Sequence, residues 1–197
     1  TTNACGAVVV GGDTTSNPNG LILDITVIGE VLPGGRYLLR RGASGGDVVA
    51  VTGFPGESAA GLDALQNRID APALRAAHLH PNARLAEGQW LAQHASVHAM
   101  IDCSDGLAQD VGHIATASAL GVNIDSAKLP ISAALREYAA SQDCPPEDFL
   151  LGGGEDYELI VAIAPSDAEK ICADFQSAFE RPLTNIGTFS DAHRDIL

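Results

Sequence analysis

Only two lysines, Lys128 and Lys170, occur in the 197 residues, and neither lies in a glycine-rich loop. No Gly-x-x-x-x-Gly-Lys-Ser/Thr pattern is present, which excludes a Walker-type phosphate loop. No Gly-x-Gly-x-x-Gly occurs either, so Rossmann dinucleotide binding has no sequence support. Basic residues are few: 11 against 25 acidic ones, a net charge of −14. Nucleic acids and anionic membranes are bound through a basic face, so neither is expected as a partner. No apolar run is long enough to span a bilayer and no secretory signal pattern appears; a cytoplasmic protein is expected. Cys5, Cys103, Cys144 and Cys172 are scattered without a Cys-x-x-Cys pair. They read as free thiols of a reducing compartment. His78/His80 and His94/His98 lack a fourth-ligand pattern, which argues against a histidine zinc site. Internal repeats and low-complexity tracts are also missing.

What is present is a mixture of strand and helix signals. Ala7–Val10 and Leu21–Val31 read as strands joined through the Asn17-Pro18-Asn19-Gly20 turn, an antiparallel pair of a larger sheet. Gly34-Gly35-Arg36 opens a short predicted helix ending near Gly42. Val48–Thr52 is the next strand. Leu62, Leu65 and Ile69 then recur at helical spacing, with Ser58 as N-cap. A helix is expected over about 83–93 and a strand over 97–102. Leu107, Val111, Ile114 and Ala117 mark one face of the following helix. Tyr157–Ile163 alternates as a strand, and Ser166–Phe179 is an amphipathic helix. The elements do not alternate strictly, so the fold class is α+β in a two-lobed arrangement.

Three acidic clusters share one design, an apolar strand running into a Gly- or Ser-rich turn with carboxylates at its tip. They are Asp13 after Gly11-Gly12, Asp102 with Asp105 before Gly106, and Glu155 with Asp156 after Gly152-Gly153-Gly154. Taken singly, each is also what an Asx turn or a helix cap looks like. Three in one acidic chain point to a shared divalent cation, since Mg²⁺ takes a few carboxylates together with phosphate oxygens and water. Ser104 and the first amides of the helix after Gly106 are placed to face a phosphate. Gly53–Gly61 is either an anion-facing loop or a closely packed strand-to-helix turn. Gly42-Ala43-Ser44-Gly45-Gly46 fits a Gly-x-Ser-x-Gly elbow by letter, but it leads into a strand and not a helix, so it is read as a chance match. Arg40 and Arg41, at the lobe boundary, are suited to hold a phosphate bidentately. Cys103 lies in the key turn without an evident base, and no nucleophilic role is assigned to it.

Together, Val10-Gly11-Gly12-Asp13-Thr14-Thr15, Arg40-Arg41-Gly42-Ala43, Val51-Thr52-Gly53, Ser58-Ala59-Ala60-Gly61-Leu62, Ile101-Asp102-Cys103-Ser104-Asp105-Gly106-Leu107 and Gly153-Gly154-Glu155-Asp156-Tyr157-Glu158-Leu159 resemble the thiamine-monophosphate kinases. That family belongs to the aminoimidazole ribonucleotide synthetase-like superfamily. The resemblance implies Mg²⁺-dependent transfer of the ATP γ-phosphoryl to thiamine monophosphate, giving thiamine diphosphate and ADP. It implies Asp13, Asp102 and Asp105 as metal ligands, and Gly12, Asp13, Arg40 and Ser104 as nucleotide contacts. Glu155 falls on the substrate side, and no residue is assigned as general base. Residues 1–41 would be the remainder of an ATP- and metal-binding lobe and 42–197 most of a C-terminal α+β lobe. A homodimer through the N-terminal lobe is implied, with Leu21–Val31 in the interface. The family's preceding aspartate-rich metal motif and its C-terminal aromatic wall have no counterpart here, so a fragment holding part of the metal set is expected. A superfamily synthetase and a catalytically dead binding module are the rival readings.

Overall fold

The structure, a computed structural model, describes residues 6–31 and 36–191. The chain divides into two compact units, residues 1–36 and 37–197. The first has no helix or strand among its described residues, and all of them are exposed. The strands expected at 7–10 and 21–31 are therefore not formed. Both segments are apolar, but a strand needs a ladder partner, and neither has one among the described residues. Val10, Ile25 and Val27 are each more than four-fifths exposed. Of the helix expected at 34–42, residues 34 and 35 lie outside the described residues, and 36–42 are not helical.

The second unit is built on five strands: β1 (Val48–Thr52), β2 (Val97–Cys103), β3 (Gly121–Ile124), β4 (Glu158–Ile163) and β5 (Leu183–Ser190). Their order is β2-β4-β1-β5-β3 and every ladder is antiparallel. The sequence Val-Val-Ala-Val-Thr explains why β1 lies in the centre: it has no polar face and is buried along its whole length. Val49 and Val51 join one core with Ile101, Ile160 and Ile186, and Val48 and Ala50 join another with Val161 and Ile163.

Helices complete both cores. α4 (Leu107–Ser118) places Leu107, Val111 and Ile114 in the first. α3 (Leu85–Ala92) and α7 (Ala168–Phe179) supply Leu91, Ile171 and Phe175 to the second. A third cluster joins α1 (Glu57–Gln66), α2 (Pro72–Leu79) and α5 (Ala133–Ser141). Here the buried face of α1 is Ala60, Gly61 and Ala64, while Leu62 is exposed. The small side chains let α2 approach closely, since a Cβ on Gly61 would run into the Leu74 carbonyl. The remaining helix, α6 (Pro146–Gly152), runs into the triple glycine.

The division between the units falls ahead of the expected boundary at residue 41. Leu39 explains this, because its carbonyl accepts the Met100 N–H at 3.0 Å and ties the segment to the outer edge of β2.

Candidate functional site

Along β2 buried and partly buried residues alternate, and Asp102 is one of the partly buried ones. The segment covering the edge of this strand carries the two arginines. Ser118, the last residue of α4, accepts the Gly42 and Ala43 N–H groups on its hydroxyl, both at 3.2 Å, and so pins the turn just after them. Arg40, Arg41, Asp102, Met100 and Leu159 line a common cleft of about 670 Å³.

Beyond Cys103 the chain turns through Ser104, Asp105 and Gly106 into α4. Gly106 has φ +109°, and a Cβ there would lie 2.8 Å from the Gly153 carbonyl oxygen. Glycine is needed on both counts. The turn is pressed backbone to backbone against the triple-glycine loop. Glu155 N–H donates to the Ser104 carbonyl at 2.9 Å, and Tyr157 N–H to that of Cys103 at 2.8 Å. Glu155 and Tyr157 both hold positive φ, 64° and 53°, a costly conformation for side chains of their size. The Tyr157 hydroxyl donates to Glu155 at 2.8 Å, which raises the tyrosine's pKa. The structure thus brings Ser104, Asp105 and Glu155 into two interlocked loops, with Asp102 two residues before the turn at the end of β2.

Two carboxylates to which the sequence reading gave no such role, the buried Asp110 and the partly buried Asp156, hold these loops. Asp110 Oδ2 accepts the N–H groups of Ser104 and Asp105, each at 2.9 Å. Asp156 accepts the N–H of Gly56 at 2.8 Å and of Ser58 at 3.1 Å. Ser58 is therefore not the N-cap of α1. Gly56 holds that position, and a carboxylate distant in sequence satisfies the free amides. Burial pushes the Asp156 carboxyl up to about 6, partly offset by those two hydrogen bonds. Asp110 thus occupies the backbone amides of Ser104 and Asp105, which leaves the Ser104 hydroxyl as that residue's group for a ligand.

Asp105 is exposed and turns toward α4, with Gln109 Nε2 at 3.3 Å and His113 Nε2 at 4.0 Å. Asp105, Asp110 and His113 each offer a ligand atom, all within 4.8 Å of one another. Asp102 is not in that group. Asp110 is buried and engaged by two amides, but the exposed Asp105 and the partly buried Asp102 are carboxylates that suit a hard cation such as Mg²⁺, so the residues present fit one.

The neighbouring Glu158 is engaged elsewhere, held by Thr52, by Arg84 at 2.9 and 3.0 Å and by Arg181 at 2.9 Å. Burial drives the Cys103 thiol far up, which leaves no reactive thiolate at neutral pH. Three histidines from the suggestive pairs have other contacts: His78 with Ser58, His94 with the Trp90 carbonyl and His98 with Asp47. Gly12 and Asp13 lie in the first unit, exposed, with Asp13 Oδ1 accepting the Thr14 N–H at 2.8 Å. An acidic residue in the first turn of a helix that follows a glycine is the one local signal that would have found Asp110. Asp156 stands in the acidic cluster after the triple glycine, but its role in holding the Gly56 and Ser58 amides leaves no local trace.

Known proteins are similar to this chain. The chain is 46% identical over 164 residues to the thiamine-monophosphate kinase of Escherichia coli K12, covering 79% of this chain and 47% of the relative. The crystal structure of thiamine-monophosphate kinase from Stenotrophomonas maltophilia K279a superimposes with TM-score 0.76 at 34% identity, over 84% of this chain and 54% of that one. AaThiL complexed with AMPPCP and TMP gives TM-score 0.70 at 31% identity, over 82% of this chain and 50% of that one. The chain thus spans about half the length of the curated relatives it matches. The family described as AIR synthase related protein, C-terminal domain, matches residues 44–197. By that match, over most of its length, the chain belongs to the AIR synthase related family and carries its C-terminal domain.

Proposed function

We propose that the protein carrying this chain is a thiamine-monophosphate kinase, transferring the γ-phosphoryl of ATP to thiamine monophosphate in a Mg²⁺-dependent reaction. The observation that supports this reading is the interlocking of the Ser104–Gly106 turn with the Gly153–Tyr157 loop, the segments that carry Ser104, Asp105 and Glu155, with Asp102 just ahead of the turn in β2. The similarity to kinases of that name, one of them complexed with AMPPCP and TMP, supports it.

Transfer between two phosphates needs little covalent chemistry, and the work is to hold two anions in line and offset their repulsion. Asp102 and Asp105 would hold Mg²⁺, which supplies that neutralising charge; Asp13 is proposed as a further ligand from its motif alone. Arg40, beside Asp102 in the cleft, binds a nucleotide phosphate through its guanidinium fork. Ser104 donates its hydroxyl to the nucleotide, and Gly12 with Asp13 contacts it by the same motif resemblance. Glu155 orients the acceptor. An acceptor phosphate is already ionised, so no general base is needed. Residues 1–41 are proposed as the remainder of the ATP- and metal-binding lobe. A homodimer using Leu21–Val31 and a cytoplasmic location complete the reading.

The test is product analysis with ATP, Mg²⁺ and thiamine monophosphate. Thiamine diphosphate and ADP should form in equal amounts. ADP release only with an amide substrate would make the protein a synthetase of the superfamily, and calorimetric binding without any product would make it a binding module.

A further inference from the structure

Two successive backbone N–H groups pointing at one spot make a concavity that ordinarily takes an anion. In this chain the amides of Ser104 and Asp105 form such a concavity, and its occupant is a single carboxylate oxygen of Asp110, at 2.9 Å from each nitrogen. Asp110 is 1% exposed and sits in the first turn of α4, from which it reaches back out of the helix. A carboxylate is retained at such depth only when its hydrogen bonds are satisfied. With the two amides held inward, the side chains they carry are fixed relative to the helix. One of them is Asp105, 55% exposed, and the other is Ser104.

We propose that Asp110 is a positioning residue for cation binding: by filling the amide concavity with its own carboxylate, it sets the turn that presents Asp105 and Ser104. It acts through hydrogen bonding and not through its charge. An asparagine, which keeps an acceptor oxygen of the same reach, should therefore replace it, whereas alanine should not. The cation part of this inference rests on the proposed function. The readouts below need neither ATP nor thiamine monophosphate, so they stand even if the intact protein makes no thiamine diphosphate.

The experiment compares the intact protein with Asp110→Ala, Asp110→Asn, Asp105→Asn and the Asp105→Asn/Asp110→Ala double variant. Mn²⁺ affinity is read by electron paramagnetic resonance, and amide exchange at Ser104 and Asp105 by NMR. Loss of a residue that orients a metal ligand typically weakens affinity by about 10–100-fold. The expected result is a loss in that range for Asp110→Ala, with faster exchange at both amides. Asp110→Asn should stay within about threefold of the parent in both readouts. The double variant should bind no more weakly than Asp105→Asn alone, since residues that act as one unit are not additive. If Asp110→Ala does not fold, Asp110→Asn decides alone, because near-parental affinity and protection are required of it. Parental affinity in Asp110→Ala, an asparagine variant as weak as the alanine one, additive losses, or a parent that binds no Mn²⁺ would each overturn the proposal.

Discussion

Asp156 makes the fold sensitive to protons. The folded chain holds its carboxyl at about 6, mainly through burial, whereas an unfolded aspartate titrates near 3.8. Between those values the folded state binds a proton that the unfolded state has released. The stabilisation from this group is therefore complete below about 4 and is lost as pH rises to about 6. Asp156→Asn cannot ionise, so raising the pH from 4 to 7 should favour the variant over the parent by up to about 2 kcal/mol. Urea unfolding at the two pH values measures this. Asp105→Asn, at an exposed position, should leave the melting temperature unchanged and raise the Mg²⁺ needed for half-maximal turnover by about tenfold or more. Arg40→Ala should raise KM for ATP more than KM for thiamine monophosphate. Asp102, Ser104, Asp105 and Glu155 could be singled out from the sequence because carboxylates beside turn glycines form a local pattern, and Asp156 stands in the same pattern. The roles of Asp110 and Asp156 could not be read there, because which amides they meet is decided by tertiary packing.

Elements with a strong period were the ones sequence reading recovered. β1, β2, β4, α4 and α7 fall where their apolar spacing puts them. α2 and α6, short and opened by prolines, were missed, as were α5 and β3. β5 was missed for a different reason. A register shift opposite Val49 and Ala50 buries both Ile186 and Gly187, so the two-residue alternation that identifies a strand is broken. At Gly106 the junction of β2 and α4 meets the triple-glycine loop, and Gly106→Ala would combine a left-handed φ with a contact to the Gly153 carbonyl. The expected loss is about 2 kcal/mol or more, read by chemical denaturation, with weaker metal binding in the same variant.

At the scale of the whole molecule, α+β composition was readable from unalternating elements, but strand order was not, because nothing local says which strands become neighbours. The apolar residues of 8–31 stay exposed in the described chain, a pattern that needs a partner surface. Ile25→Asp with Val27→Asp should shift the intact protein from dimer to monomer in sedimentation, with the larger unit's melting unchanged. The central position of β1 has a consequence for how the protein is made. This strand leaves the ribosome early, ending at Thr52, while the strands that flank it begin at Glu158 and Leu183. At roughly 5–20 residues added per second, this fully buried strand waits about 5–20 s or longer for its first neighbour. During that interval chaperone capture competes with misassembly, so the yield of active protein should depend on the speed of translation.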